Sequence, residues 1–294
     1  MNPMDDLKAP AGVGFSYSDD SADYVTNDDK TAADNRAAVE QFFALFPEYV
    51  KHDLFITGES YAGIYVPTLA EAIVQGTIDG TYTGAPLKGI AVGNGCSGDE
   101  IGTCGWGSQS TYYETKYLTG HAFVSNELKE KVDRVCDWSV AVNNTGDLSI
   151  ECDAAVAEVH AQVGNINIYN VFGECISGSV EEKAGRGTLK APRKNAPWAK
   201  VGSAGPNACI DSIAGTSWIN QPEVIEALHV VAQSFDWAIC GNQIDYSSTR
   251  PNLPRDTYPL LNEHIRVLIY VSRGKLSSLC PAFFSYTYPS IVSA

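Results

Sequence analysis

The sequence of 294 residues lacks any apolar run close to the roughly 18 to 20 residues that a membrane-spanning helix needs. Basic residues are also scarce, since 20 Lys and Arg stand against 35 Asp and Glu, a formal net charge of −15. This balance disfavours binding to nucleic acid or to an anionic membrane, because both partners require clustered Lys and Arg. No metal-ligand cluster and no phosphate-binding loop is recognisable, so the sequence implies no cofactor and no metal.

The N-terminus lacks a recognisable signal peptide, because its first residues, MNPMDDLK, contain neither a basic segment nor an apolar one. The 8 cysteines include no Cys-x-x-Cys pair, which disfavours zinc-ribbon and thioredoxin-type sites. Cysteine content of this kind is typical of an oxidising compartment, and Asn143-Asn144-Thr145 is a glycosylation sequon. The cysteines and the sequon predict an oxidising compartment, whereas the N-terminus shows no signal peptide that would direct the chain there. We expect that the sequence lacks the true start of the protein, which would explain both observations.

Strand and helix patterns alternate over residues 9–95, which is typical of an α/β fold with a mostly parallel sheet. Strands are predicted at residues 53–57 and 87–92, with a helix between them that bends at Pro67. An earlier helix is capped by Thr31 and ends near Pro47. The apolar face predicted for this earlier helix consists of Ala38, Phe42, Leu45, Phe46 and Tyr49.

Composition divides the chain into three predicted parts. Residues 1–95 form the first part of an α/β core, and residues 216–294 form its second part. Residues 96–215 contain Cys96, Cys104, Cys136, Cys152, Cys175 and Cys209, and we interpret them as an inserted cap.

Smaller elements are predicted within the second and third parts. The cap is expected to contain helices near residues 125–136 and 153–163. A basic segment at 178–207 follows, which we interpret as a solvated loop, with a binding patch as the alternative. In the third part, Gln221-Pro222-Glu223 begins a helix, and Ile265–Val271 forms a strand. The apolar face of that helix is predicted to be Val224, Ala227, Leu228 and Val231.

The segment Gly58-Glu59-Ser60-Tyr61-Ala62-Gly63 joins a predicted strand to a predicted helix. In a nucleophile elbow, small residues on both sides of such a turn let a serine project above the edge of the sheet. Ala62 supplies the second small residue here, and Gly63 follows one residue later. The N–H of Tyr61 would then point toward a developing oxyanion. A plain strand-to-helix turn with a serine cap fits the same residues.

A nucleophilic serine needs a general base, which is normally a histidine held by an aspartate. In α/β-hydrolases this histidine follows the last strand, but no histidine follows residues 265–271. None of the five is a convincing base; they are His52, His121, His160, His229 and His264.

Several motifs, in order along the chain, resemble the serine carboxypeptidase family. They are Pro10-Ala11-Gly12-Val13-Gly14-Phe15-Ser16-Tyr17-Ser18, Gly58-Glu59-Ser60-Tyr61-Ala62-Gly63, Tyr65-Val66-Pro67, Gly93-Asn94-Gly95, Asn220-Gln221-Pro222-Glu223-Val224 with Ala227-Leu228-His229, and Val267-Leu268-Ile269-Tyr270. The resemblance implies a partial α/β-hydrolase fold, with a mostly parallel central sheet and an inserted cap. It implies removal of C-terminal residues from peptides or proteins, commonly at acid pH, in a vacuole, a lysosome or the secretory route. A homodimer is compatible with it.

The resemblance also implies roles for three residues. Ser60 is expected to be the nucleophile that forms the acyl-enzyme, and the N–H of Tyr61 is expected to donate to the oxyanion. Glu59 is expected to bind the terminal carboxylate of the substrate. Since two bare carboxylates repel each other, Glu59 must then carry a proton or share one with another acid. The alternative for Glu59 is an ordinary acid at a helix start.

The chain departs from the family pattern at both ends. The family segment Trp-x-Asn-Gly-Gly-Pro-Gly-Cys-Ser-Ser is absent, Ser277 occupies the position of the catalytic aspartate, and the catalytic histidine would lie beyond Ala294. We therefore expect a family member truncated at both ends that is inactive or weakly active. A related acyltransferase and a non-catalytic family member are the alternatives.

The cysteines follow the same resemblance. The family partner of Cys240 is missing, so Cys240 is expected to be unpaired, and Cys280 is expected to be free as well. We pair Cys136 with Cys152 and Cys175 with Cys209, although spacing alone does not determine connectivity.

Overall fold

A computed structural model describes residues 6–104, 107–164, 166–167, 171, 213–231, 235–238 and 243–271. The strands are β1 (Val25–Asn27), β2 (Leu54–Glu59), β3 (Leu87–Gly93), β4 (Asp245–Ser247) and β5 (Arg266–Tyr270). The helices are α1 (Asp28–Leu45), α2 (Ala62–Ile78), α3 (Gly107–Gly120), α4 (Asn126–Val135), α5 (Trp138–Val142), α6 (Ile150–Val163), α7 (Ile213–Ile219), α8 (Pro222–Ala227), α9 (Leu253–Asp256) and α10 (Tyr258–His264). Short 3-10 helices occupy Ser21–Tyr24, Pro47–Tyr49 and Asp99–Ile101.

Two parallel sheets organise the α/β part of the chain. The larger has the strand order β2-β3-β5, and the smaller pairs β1 with β4. Glu59 lies opposite Gly93 in the register, and Gly93 lies opposite Tyr270, so all three strands of the larger sheet end at one edge. The mostly parallel α/β arrangement predicted from the sequence is thereby confirmed.

One face of the larger sheet is covered by helices α2 and α10. Ile90 and Val92 of the central strand are buried there against Ile64 and Val66 of α2 and against Leu261 of α10. Helix α1 packs on the outer side of α2. There, Arg36 donates a hydrogen bond to the carbonyl of Ala72. The core therefore lies between the sheet and α2, directly beneath the turn that carries Ser60.

The opposite face of this sheet is open among the described residues. Phe55, Leu268 and Tyr270 project from it and are 50%, 42% and 54% exposed. The central strand contributes only small residues to this face, namely Gly89, Ala91 and Gly93. Parallel sheets are ordinarily covered on both faces, and the residues that the structure describes cover one of them.

Helix α1 differs from the prediction in its start and in its buried face. Its N-cap is Asn27, whose side chain accepts from the N–H of Lys30, whereas Thr31 lies buried within the first turns. The predicted apolar positions are largely outside the core, since Leu45 is 65% exposed. Phe42 instead contacts the rings of Phe46 and Tyr49. The residues that α1 buries are Asp28, Thr31, Ala32, Asn35 and Phe43.

The helical insert, which comprises helices α3 to α6 between β3 and β4, has its own core. Helix α4 is capped by the side chain of Ser125, which matches the predicted start, and α6 begins slightly earlier than predicted. A disulfide joins Cys136 to Cys152, which confirms the predicted pair. The core of the insert contains Tyr117, Leu118, Leu128, Val132, Cys136, Cys152, Ala155, Val156, Val159 and Val171. The boundaries of the cap, residues 96–215, stay a prediction.

The other predicted elements have mixed outcomes. Strand β5 and the start of α8 at Pro222 are confirmed, and α2 continues through Pro67 without interruption. The predicted apolar face of α8 is wrong in part, because Leu228 and Val231 are 48% and 58% exposed. The basic segment 178–207 and the residues Cys175, Cys209, Cys240, Ser277 and Cys280 lie outside the described residues.

Within the described ranges, none of the helices combines the length and the hydropathy needed to cross a bilayer.

Replacing Ile73 with alanine is expected to destabilise the protein strongly, because its side chain in α2 is 0% exposed. Loss of a buried isoleucine side chain typically lowers the free energy of unfolding by about 3 kcal/mol. Ile78→Ala, in the same helix but at a 53% exposed position, should cost no more than about 0.5 kcal/mol. Urea unfolding of both variants measures the difference, and equal losses would contradict this description of the core.

Candidate active site

Ser60 occupies the turn between β2, which ends at Glu59, and α2, which begins at Ala62. Its φ of 63° lies in the left-handed region, which is costly for a residue with a side chain. Ser60 is exposed at the edge where the larger sheet's strands end. The predicted sharp turn is therefore present. Ligand sites of open α/β sheets commonly lie at this carboxyl edge.

Main-chain hydrogen bonds hold the backbone of Ser60 in this conformation. Its N–H donates to the carbonyl of Gly93 over 3.1 Å, as a continuation of the β2–β3 ladder. Its carbonyl accepts from the N–H groups of Gly63 and Cys96, both over 2.9 Å. Both main-chain polar groups of the strained residue are thus paired.

The close packing around this turn explains its small residues. A Cβ atom at Gly58 would lie 2.4 Å from the Cβ atom of Ala62, so this pair leaves no room for larger side chains. A Cβ atom at Gly63 would lie 2.1 Å from the carbonyl oxygen of Cys96. Ala62 and Gly63 therefore meet different requirements: the first faces β2, and the second admits the backbone of residue 96.

The serine cap expected in the alternative is not formed, whereas the role of the turn in catalysis stays a prediction. The N-cap position of α2 is Tyr61, and no side chain forms a capping hydrogen bond there. In the described part of the chain, the N–H of Tyr61 has no acceptor. Unpaired N–H groups at the start of a helix attract negative charge, and the helix dipole adds to this attraction. The start of α2 therefore offers an unpaired N–H beside Ser60, and its assignment to an oxyanion stays a prediction.

The side chain of Tyr61 is held by Asp28, which the sequence analysis missed. The Asp28 carboxylate is 0% exposed. It accepts from the hydroxyls of Tyr61 and Tyr246 over 3.0 and 2.7 Å. It also accepts from the N–H groups of Thr249 and Arg250 over 2.6 and 2.9 Å. One buried carboxylate thus joins α1, the Ser60 turn, β4 and the segment that follows β4.

Three tyrosines surround this carboxylate. The ring centroid of Tyr61 lies 5.1 Å from that of Tyr65 and 5.6 Å from that of Tyr246. Burial raises the pKa of Tyr65 to about 12. Burial, followed by the negative charge of Asp28, raises the pKa of Tyr61 well above its usual range. Burial and the neighbouring phenols do the same to the pKa of Tyr246. All three hydroxyls remain protonated at neutral pH.

Glu59 is the last residue of β2 and is exposed. Its side chain lies on the open face of the sheet, next in the register to Gly93 and Tyr270. It therefore adjoins Ser60 along the chain at the carboxyl edge. Its assignment to a substrate carboxylate stays a prediction.

Two of the five histidines lie at the opposite edge of the larger sheet from Ser60, and two others make contacts among helices α3 to α6. His52 precedes β2 and His264 precedes β5, so both lie at the amino ends of these parallel strands. With about 3.3 Å per residue, β2 alone separates His52 from Ser60 by roughly 20 Å. His121 contacts the carbonyl of Tyr117 in the insert, and His160 lies 3.7 Å from Glu114 there. Throughout the described ranges, no histidine forms a hydrogen bond with Ser60.

A second feature that sequence reasoning missed is the disulfide between Cys96 and Cys104. It joins two cysteines with a sequence separation of 8 and closes the loop that follows β3, beside the Ser60 turn. Its short spacing offered no more signal than other cysteine spacings in this sequence. No group of three potential metal ligands occurs among the residues that the structure describes.

A parallel sheet with a serine on a strained strand-to-helix turn defines an α/β-hydrolase. The overall arrangement supports this class, because the chain superposes on the crystal structure of Kex1(delta)p, a prohormone-processing carboxypeptidase from Saccharomyces cerevisiae, with a TM-score of 0.58. The match has 18% sequence identity and covers 92% of this chain and 56% of that chain. At this identity the likeness concerns the fold alone.

The family model for serine carboxypeptidases matches residues 7–285, and the chain belongs to this family. Serine carboxypeptidase-like 21 of Arabidopsis thaliana is 31% identical over 272 residues, which cover 82% of this chain and 53% of that protein. The lysosomal protective protein of Mus musculus is 34% identical over 252 residues, which cover 80% of this chain and 50% of that protein. The chain thus spans about half the length of the curated relatives it matches.

Asp28→Asn is expected to lower the free energy of unfolding by about 3 kcal/mol, because an amide cannot accept from all the donors around the buried carboxylate. The neighbouring Asp29→Asn removes a half-exposed ion pair with Arg250 and should cost less than about 1 kcal/mol. Urea unfolding compares the two variants. Similar losses would show that the Asp28 network contributes little.

The buried tyrosines predict a loss of stability at alkaline pH. Because the pKa of Tyr65 is raised to about 12, its neutral form stabilises the fold below the usual pKa near 10, and this contribution is lost as pH rises toward 12. The expected slope is about 1 kcal/mol per pH unit for each such tyrosine. Tyr65→Phe should reduce this slope, whereas Tyr17→Phe, at a 44% exposed position, should not. Unfolding between pH 9 and 11 measures both.

Proposed function

We propose that Ser60 is the nucleophile of a serine carboxypeptidase reaction, which removes C-terminal residues from peptides or proteins. The observation that carries this proposal is the strained, exposed Ser60 at the start of α2, with the Tyr61 N–H unoccupied in the described part of the chain. Membership of the serine carboxypeptidase family supports the substrate class. The activity is proposed for the whole protein, because the chain spans about half the length of its relatives.

The reaction proceeds through an acyl-enzyme. Ser60 Oγ attacks the carbonyl carbon of the last peptide bond while a general base accepts its proton, and the N–H of Tyr61 donates to the resulting oxyanion. The C–N bond then breaks, and the released amino acid takes the proton. Water then attacks the acyl carbon while the general base accepts its proton. The ester bond to Ser60 breaks, the shortened peptide leaves, and Ser60 Oγ takes the proton back from the base.

Glu59 is proposed to bind the terminal carboxylate of the substrate. It adjoins Ser60 at the exposed carboxyl edge of the sheet. The terminal carboxylate of a substrate likewise lies one residue from the bond that Ser60 would attack. A carboxylic acid can donate a hydrogen bond to a carboxylate only while it carries a proton, so binding through Glu59 favours acid conditions. An acidic compartment, namely a vacuole, a lysosome or the secretory route, suits this requirement.

The general base is the part of this mechanism that the described residues do not supply. Among the described residues no histidine forms a hydrogen bond with Ser60, and Ser277, at the position that resembles the catalytic aspartate, carries no acid. Without a base, catalysis falls by orders of magnitude even when the oxyanion site remains. This observation favours a second candidate function for the 294-residue chain taken alone: a family member that binds peptide C-termini without turnover.

Labelling of the 294-residue chain with a fluorophosphonate tests whether Ser60 is a nucleophile. A phosphorus–oxygen bond forms at the reactive serine, and fluoride leaves with the proton. Slow labelling is expected, together with peptide turnover that is orders of magnitude below that of a complete triad. Ser60→Ala should abolish labelling, whereas Ser21→Ala, at an exposed serine in a 3-10 helix, should retain it.

The outcomes separate the candidate functions. Labelling that persists in Ser60→Ala would refute Ser60 as the nucleophile. Complete absence of labelling, combined with binding of a peptide that has a free C-terminus, would favour the non-catalytic function. Transfer of an acyl group from a sugar ester to an acceptor, without peptide hydrolysis, would favour the acyltransferase alternative.

A further inference from the structure

The disulfide between Cys96 and Cys104 has no role in the mechanism proposed above, yet it lies against the Ser60 turn. Cys96 is 6% exposed, and its N–H donates to the carbonyl of Ser60 over 2.9 Å. The backbone of Cys96 also packs so closely on Gly63 that a Cβ atom there would lie 2.1 Å from its carbonyl oxygen. Residue 96 therefore contacts both sides of the turn that carries the serine.

The loop closed by this disulfide is itself anchored on its far side. The N–H of Ser97 donates to the hydroxyl of Thr103 over 2.8 Å, which joins the two ends of the loop. The carbonyl of Ser97 accepts from the N–H of Leu253 over 3.0 Å, at the start of α9. The N–H of Glu100 donates to the carbonyl of Pro251 over 3.0 Å. The loop thus spans the space between the Ser60 turn and α9.

A residue with positive φ keeps that conformation only when its surroundings hold it there. The N–H of Gly63 lies within the turn itself, so the bonds that hold Ser60 from outside come from Gly93 and Cys96. Gly93 belongs to the central strand, where the sheet fixes it. Cys96 lies beyond the end of that strand, within the loop that the disulfide closes.

We propose that the Cys96–Cys104 disulfide positions Ser60 by holding the backbone of residue 96 against the nucleophile turn. Both cysteines are positioning residues, since they act through the Ser60 backbone. Opening this disulfide lets residue 96 withdraw, so that the turn opens more often and Ser60 becomes less reactive. The inference rests on the proposed function for its effect on reactivity, whereas its effect on the turn stands on the geometry alone.

The chain contains a matched control for this proposal. Cys136–Cys152 is a second disulfide, with a sequence separation of 16 against 8 for Cys96–Cys104. It lies within the core of the helical insert, which includes no residue of the Ser60 turn. A general loss of stability should follow removal of either disulfide. A local effect on the Ser60 turn should follow removal of Cys96–Cys104 alone.

The test compares two double variants of the full chain, Cys96→Ala with Cys104→Ala and Cys136→Ala with Cys152→Ala. Hydrogen exchange resolved by mass spectrometry is followed at the amides of Ser60, Gly63 and residue 96. In the first variant we expect exchange about tenfold faster or more at these amides, with little change at the buried amides of α2. In the second variant exchange at the turn should match the unaltered chain.

A second measurement covers the case in which the first variant does not fold. Mild reduction of the chain carrying Cys136→Ala and Cys152→Ala, with peptide mapping to identify the opened bond, should produce the same faster exchange. Reoxidation should reverse it. Rescue by reoxidation distinguishes a positioning bond from damage to the fold.

Fluorophosphonate labelling supplies the functional measurement. The maximal labelling rate should fall in the first variant and on reduction, whereas the concentration of reagent needed for half-maximal rate should stay unchanged. If the unaltered chain is not labelled at all, the proposed function fails, but faster exchange at the turn would still support the positioning role. Equal exchange at the turn in both double variants would overturn the proposal.

Discussion

The arrangement of the site depends on how the backbone of Ser60 is held. Its φ is positive, and the conformation persists because the N–H is paired with Gly93 and the carbonyl with Cys96 and Gly63. This pairing brings the turn so close to its neighbours that Gly58, Ala62 and Gly63 have to be small. The small residues are therefore required by the close packing of the backbone. This packing leaves the side chain of Ser60 exposed.

The buried carboxylate of Asp28 supports this turn from the other side. A buried charge is tolerated when hydrogen bonds replace its lost hydration, and Asp28 accepts from two phenols and two main-chain N–H groups. These donors come from the Ser60 turn, from β4 and from the segment that follows it. Asp28 thus fixes the side chain of Tyr61, while the backbone bonds of Ser60 fix the turn itself.

Local signals in the sequence were sufficient for several elements. The β2–turn–α2 unit, the Ser125 cap and the Cys136–Cys152 pair were predicted correctly, because their signals lie within a few residues or within the family resemblance. The start and buried face of α1 were predicted wrongly, since contacts with α2 and with the segment after β4 outweigh the apolar spacing. Asp28 and Cys96–Cys104 were not predicted, because neither a single acid nor a short cysteine spacing is distinctive in a sequence. Their partners become evident only when the fold brings them together.

The partners of Asp28 also determine when the site can be completed during synthesis. Its bonds to Tyr246 and Arg250 join residues separated by 218 and 222 positions. At about 5 to 20 residues per second, a ribosome needs roughly 10 to 45 s to make that stretch. Throughout this interval the α1 carboxylate and the β1 edge are without their C-terminal partners. Contacts of such long range form late and slow folding, so the buried setting of Asp28 can be completed only after Arg250 has been made.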